Sequence, residues 1–384
     1  MDRTGLTPQE VTAVIQLRHQ LHANPDLSGR EAGTAARIRE FLRPTAPAHI
    51  LEGLGGAGLA VVYDSGQPGP RVMFRAELDA LPIVEQTGLA HASCRAGTAH
   101  LCGHDGHMAI LAGLGLWLEQ NPPRAGQVVL LFQPAEETGE GARAVLEDPR
   151  FAALQPDWAF ALHNMPGMEF GTLAVAPGVA SCASVGLRVT LCGREAHAAQ
   201  PETGHSPGAA LASLIMALAP HSAAQPMGPG FRLATLCHLN MGTPAFGIAP
   251  AQAEVWITLR AYDDAGLEAF EAEIREVVAR IGQGLSPQIS RHDHFHASVN
   301  AAEAVDHVIR AQNAVGLAQG SFPMPMRPSE DFGAFSRKTR MALFFLGAGL
   351  DQPALHDPAY DFPDALIVPA VALFSQIQRQ VQAG

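Results

Sequence analysis

No apolar run in this chain approaches the roughly 20 residues that cross a bilayer as a helix, so no transmembrane helix is expected. The opening residues, Met-Asp-Arg-Thr-Gly-Leu-Thr-Pro-Gln-Glu, lack the basic and apolar regions of a secretory signal, which points to the cytoplasm. Cysteine is sparse. Five thiols, Cys94, Cys102, Cys182, Cys192 and Cys237, are an odd number without disulfide-scaffold density, as suits a reducing compartment, and at least one does something other than intrachain pairing. There is no basic stretch and the formal charge is −12, so neither nucleic acid nor an anionic membrane surface is the expected partner. Internal repeats and low-complexity tracts are missing as well. What remains is a chain of 384 residues, 47% hydrophobic, long enough for two domains at roughly 100 to 200 residues each, with a small molecule as the expected partner.

Residues 101–107 read Leu-Cys-Gly-His-Asp-Gly-His. In an extended segment Cys102 and His104 point to one side and offer a thiolate and an imidazole to a single divalent ion. Two ligands do not close such a site, and the rest must come from elsewhere. The candidates stand at the ends of probable-strand patterns: the apolar run 128–132 stops at Gln133-Pro134 before Glu136 and Glu137, the run 158–162 is followed by His163, and 72–74 leads into Glu77 and Asp79. His356 also follows an apolar run. In open α/β sheets, ligands gather in the crevice outside the carboxyl ends of strands, so these groups can meet although far apart in sequence. Two adjacent glutamates suggest a division of labour, one holding metal while the other moves protons.

Helical patterning covers residues 8–22, 31–42, 107–118, 301–315 and the C-terminus, with a strand at 341–346. The middle region differs. Strand patterns at 185–191, 231–239, 253–261 and 288–296 enclose helices at 209–218 and 267–281, a β-α-β-β-α-β order of ferredoxin-like type. The fold class read here is therefore α/β: a catalytic domain with a central, mostly parallel or mixed sheet between helices, formed by residues 1–178 and 297–384. Residues 179–296 form an inserted ferredoxin-like α+β domain. His292, His294 and His296 alternate, so on a regular strand they share one face and make a rival metal site; no carboxylate or cysteine cluster accompanies them.

Six segments in order carry a resemblance: Arg-Ala-Glu-Leu-Asp-Ala-Leu-Pro-Ile (75–83), Cys-Gly-His-Asp-Gly-His (102–107), Gln-Pro-Ala-Glu-Glu (133–137), His-Ala-Ala-Gln-Pro (197–201), Ser-Glu-Asp-Phe (329–332) and Leu-His-Asp-Pro-Ala-Tyr-Asp-Phe (355–362). From about Leu17 to the C-terminal helix the chain resembles the dimetal amidohydrolases that include hippurate hydrolase, bacterial aminoacylases and plant auxin-conjugate hydrolases. The resemblance implies two divalent ions per subunit, zinc first, with manganese, cobalt or nickel as alternatives. It implies Cys102, His104, Glu137, His163 and His356 as their ligands, and Glu136 as the general base that takes a proton from the attacking water and passes it to the departing amine. Asp79 joins the catalytic candidates, and His197 matches a histidine that stabilises the oxyanion in the neighbouring subunit's site, so a homodimer is implied. Arg260, whose planar fork suits a carboxylate, and Asn240 are the substrate-binding candidates. The implied reaction is cleavage of N-acyl amino acids or related small amides. A dipeptidase or carboxypeptidase with the same machinery is the alternative enzyme, and a noncatalytic metal-binding dimer the alternative of another class. Three departures stand out: Glu77 replaces the usual aspartate, Phe246-Gly247-Ile248-Ala249-Pro250 replaces an Asn-Val-Ile-Pro turn, and Pro363 replaces an asparagine.

Overall fold

Continuous apolar stretches set the centre of the molecule. The strands Arg71–Glu77, Gln127–Gln133 and Trp158–Pro166 are buried along almost their whole length, as strands covered on both faces must be. In the computed structural model, which describes residues 5–223 and 225–382, Arg71–Glu77 lies between the other two and pairs with both in parallel. Arg340–Gly349 adds in parallel to Trp158–Pro166. Four strands therefore release their chains at one end of the sheet. A hairpin, His49–Leu54 and Gly58–Asp64, joins antiparallel to Gln127–Gln133, and the short strand Leu173–Ala174 closes the other edge of this mixed seven-stranded sheet. Helices Pro8–Ala23, Ala32–Leu42, His104–Gln120, Ala302–Val315 and Ile367–Gln382 contribute Leu17, Ile38, Leu111, Val308 and Phe374 to the same core as Phe74, Leu130 and Phe160 of the sheet. Among the described residues no helix is long and apolar enough to cross a membrane.

The chain divides into two units. The first runs through Ala180 and resumes with Ser298–Met324 and again from Glu330 onward; the second comprises Ser181–Ala297 together with Pro325–Ser329. That last segment, which binds through a Cys182 N–H to the Met326 carbonyl at 3.1 Å, carries no pattern that would have assigned it there. The second unit is an antiparallel sheet in the order Arg232–Met241, Gln252–Ala261, Ala183–Cys192, Ser286–Phe295, with helices Gly208–Leu218 and Asp264–Ile281. One sheet face is buried through alternate residues such as Val185, Leu187, Val255 and Ile257.

Three local expectations need correction. The helix read from 107 starts at His104, with Gly103 as its left-handed cap residue (φ 95°), so Cys102 and His104 do not lie on one extended segment. The strand read as ending before His163 continues to Pro166, because its parallel partner Arg340–Gly349 supplies hydrogen bonds that far. The strand read at 288–296 is Ser286–Phe295, and its register slips between His292 and Phe295, where Asp293 takes φ 44°. The slip breaks the alternation on which a three-histidine face depended.

Candidate active site

At the common strand end of the first unit, polar side chains are packed where apolar ones would be expected. Gly103 and the turn of helix His104–Gln120 bring Cys102 and His104 together, the strand Trp158–Pro166 supplies His163, and the turn after Gln127–Gln133 supplies Glu136 and Glu137. His356 arrives from the loop after Arg340–Gly349, its N–H donating to the Leu101 carbonyl at 2.8 Å. Donor atoms of Cys102, His104 and His163 lie within 4.8 Å of one another, as do those of Cys102, Glu137 and His356, and those of His104, Glu136 and Glu137. Cys102 belongs to two of these groups.

The hydrogen bonds fix which ring atoms face the centre. His104 Nδ1 donates to the Asp79 carbonyl at 2.9 Å and His163 Nδ1 to the Asn164 carbonyl at 2.8 Å, so both rings present an Nε2 lone pair. His163 Nε2 is 3.5 Å from Cys102 Sγ. Glu137 Oε1 stands 3.9 Å from His104 Nε2 and 3.7 Å from His356 Nε2, and both it and His104 Nε2 are buried without a hydrogen-bond partner. Ligands sharing one ion through bonds of about 2.0 to 2.3 Å stand about 3.3 to 3.8 Å apart, close to these separations. The donor set fits divalent metal. Among the described residues, two of the four non-glycine residues with positive φ, Ala135 (49°) and His356 (68°), stand here, a concentration of backbone strain typical of functional sites.

Carboxylates dominate the electrostatics. Burial and the neighbouring Glu330, Glu137 and Asp331 push Glu136 well above the usual carboxylate range, and burial lifts Glu137 to about 7. Cys102 is raised by burial and by both glutamates. Burial disfavours charge on His104, yet Glu77, Glu137 and Asp79 outweigh it and bring the ring to about 9, whereas burial and the nearby His107 hold His163 at about 3.

Several participants gave no separate signal in the sequence. Arg75, fully buried, pairs with Glu77 and with Glu330 (2.9 Å) and Asp331 (2.6 Å), and Asp331 N–H donates to Glu136 Oε1 at 3.4 Å. His107 bonds Glu77 at 2.7 Å. The carboxylates at 330 and 331 lie in a segment recognisable only as a motif, because nothing local links them to residue 75. The remaining candidates lie in the second unit. His197 is exposed and accepts the Ala199 N–H on Nδ1 at 3.0 Å; Asn240 is exposed on the edge strand, opposite Glu254; Arg260 donates to Ser329 Oγ at 2.9 Å and to the Arg327 carbonyl at 3.2 Å. His292 is taken by Ser290 (2.8 Å) and His296 by Asp264 (2.8 Å).

Thiol, imidazole and carboxylate donors gathered at the carboxyl ends of parallel strands, most of them buried, make a candidate metal centre of the kind a metal-dependent hydrolase uses. The model of peptidase family M20/M25/M40 matches residues 73–380, and the chain belongs to that family. Hippurate hydrolase of Campylobacter jejuni is 30% identical over 366 residues, covering 94% of each chain. N-acetyl-L-cysteine deacetylase of Bacillus subtilis is 30% identical over 374 residues, 93% of this chain and 85% of that protein. Among solved structures, the Bacillus subtilis YXEP protein, a dinuclear metal-binding peptidase of the M20 family, superposes with a TM-score of 0.83 at 26% identity, covering 98% and 99% of the two chains.

Proposed function

We propose that the chain hydrolyses the amide bond of N-acyl amino acids or related small amides, with Glu136 as general base and Cys102, His104, Glu137, His163 and His356 holding two divalent ions. The observation that carries this reading is the buried Glu136 carboxylate beside two donor groups, Cys102–His104–His163 and Cys102–Glu137–His356, that do not use it. Membership of Cys102 in two donor groups supports its thiolate as one of the groups that would hold metal, and the mixed sulfur, nitrogen and oxygen set favours zinc over manganese, cobalt or nickel. When bound, the ions would polarise the scissile carbonyl and acidify water.

The protein's own groups do the proton work. Burial and the surrounding carboxylates keep Glu136 basic enough to take a proton from water and hand it to the amine that leaves. The Asp331 N–H at 3.4 Å and the Arg75 cluster hold its carboxylate in place. Asp79 orients two donor segments at once, accepting the Glu137 N–H at 3.0 Å and, through its carbonyl, the His104 ring N–H. For the second unit we propose roles as substrate contacts. His197, with Nδ1 occupied as an acceptor, presents Nε2–H as a donor suited to an oxyanion, and Arg260 and Asn240 suit a substrate carboxylate. A homodimer through the edge strand Arg232–Met241 is supported by the exposed Leu236, Leu239 and Met241 along it, and a small-molecule substrate with cytoplasmic placement completes the reading.

The test is release of amine from N-acetyl, N-benzoyl and N-indolylacetyl amino acids and from dipeptides, the alternative substrates. Protein stripped of metal is reloaded with zinc, manganese, cobalt or nickel in turn. Glu136→Gln should bind the same metal and lose about 10²- to 10⁴-fold in kcat; unchanged turnover would remove Glu136 from the chemistry.

A further inference from the structure

The backbone on both sides of Glu136 is held by buried carboxylates. Ala135 N–H donates to Glu31 Oε1 at 2.8 Å, and Glu137 N–H donates to Asp79 Oδ2 at 3.0 Å. Asp79 takes a further hydrogen bond from Ser28 Oγ at 2.7 Å, and Glu31 Oε1 a further one from Gly29 N–H at 2.8 Å. Ala135 itself is left-handed at φ 49°, a conformation strained for a non-glycine residue, and it stands in the turn after strand Gln127–Gln133 that carries Glu136. Glu31 is fully buried, sits directly before helix Ala32–Leu42, and its second oxygen, Oε2, has no hydrogen-bond partner among the described residues. An ordinary helix-start glutamate faces water. This one is withdrawn from solvent to reach an amide 104 positions away.

Resting on the reading of Glu136 as the base, we infer that Glu31 is a positioning residue for it: its carboxylate pins the left-handed Ala135 and so sets the direction in which the Glu136 side chain leaves the turn. Asp79 pins Glu137 from the other side, so loss of Glu31 alone should tilt the base while leaving the metal donors seated.

The experiment uses full-length protein loaded with zinc and the best substrate of the panel. Glu31→Ala should lower kcat about 10- to 100-fold, the usual penalty for displacing a catalytic group by an ångström or so, with KM within about twofold and zinc stoichiometry unchanged. Glu31→Gln keeps a carbonyl acceptor for both amides and should return kcat to within about fivefold of wild type. The inference is overturned if Glu31→Ala retains wild-type kcat, if KM and zinc content fall in step with kcat, or if the glutamine variant is as slow as the alanine one. Should Glu31→Ala not fold, Glu31→Asp, which withdraws the carboxylate by one methylene, replaces it with the same split expected. Glu136→Gln run alongside separates the two ideas: if it is inactive while Glu31→Ala is normal, only positioning fails, and if it is active, the base assignment fails as well.

Discussion

Arg18→Met tests whether the first unit depends on a buried charge network behind the site. Arg18 Nε donates to Asp105 Oδ2 at 2.9 Å with neither side chain exposed, while its other nitrogens reach Asp361 and, at 3.1 Å, Asp364. Methionine keeps the apolar stem and removes the charge, leaving Asp105 with His22, 2.9 Å away, as its one basic partner among these groups. Breaking a buried pair from one side costs about 3 to 5 kcal/mol. The lower end applies here, because His22 can take a proton, and because Asp361 and Asp364 reach solvent and add under about 1 kcal/mol each. At roughly 2 to 4 °C per kcal/mol, the unfolding transition of the first unit should fall by about 6 to 12 °C in calorimetry. Arg18→Met/Asp105→Asn removes both charges and should recover at least a third of that loss. A single variant within about 1 kcal/mol of wild type, or a double variant melting no higher than the single, would refute the argument. The pH dependence follows from Asp105. Its burial opposes ionisation, but Arg18 and His22 hold it well below the usual carboxylate range, so its contribution is present above the unfolded value of about 3.9 and disappears as pH falls through the lower folded one.

Gly103→Ala should cost about 1 to 3 kcal/mol in backbone strain at φ 95° and weaken binding of divalent metal, since the new methyl would sit 2.2 Å from Asn164 Oδ1, between Cys102 and His104; chelator competition giving a wild-type metal affinity would contradict this. His22 is opposed by burial but raised above 6.5 by Asp105 and Glu85, so the stability of its charged form is complete below pH 6.5 and is lost as pH rises through the folded value. His22→Gln should therefore flatten the stability profile above pH 6.5, and parallel profiles for the two proteins would show that His22 does not titrate there. Leu239→Lys on the edge strand should convert the proposed dimer to monomer in light scattering; an undiminished dimer would place the interface elsewhere.

What was legible followed from local pattern. Runs such as 128–132 announce strands buried on both faces because nothing polar interrupts them; Glu136 and Glu137 do follow that strand's end, whereas the strand begun at Trp158 runs on through His163. The reason given for pairing Cys102 with His104 was wrong in geometry. A left-handed glycine and a helix start bring them together, and a one-residue gap reads alike whether the backbone is extended or turning. The hairpin of His49–Leu54 and Gly58–Asp64 had no assignment, since its first strand is only half-buried and mixes glycine with polar residues. Charge partners were the least legible. Arg75 reads as a strand-end arginine until the chain returns 256 residues later with Asp331.

Charge balance explains why so much of the first unit is organised around its strand ends. Glu77, Asp79, Glu136, Glu330 and Asp331 are all buried, with the partly buried Glu137 beside them and Arg75 as the guanidinium bonded into the cluster. Like charges at this density raise one another, and Asp331 reaches about 8 through burial and Glu330 although Arg75 opposes the shift. Without additional positive charge, burial and mutual repulsion disfavour ionisation of Glu136 and Glu137. Divalent cations would favour the ionised donors, so metal binding and ionisation of the donors should be a single coupled event. Arg75 also acts beyond stability: it holds Glu77 well below the usual carboxylate range against burial, and ionised Glu77 fixes the ring of His107, which in turn contacts the Asn164 side chain packed against Gly103. One arginine thus reaches the candidate metal donors from behind, through fixed hydrogen bonds and without being one of them.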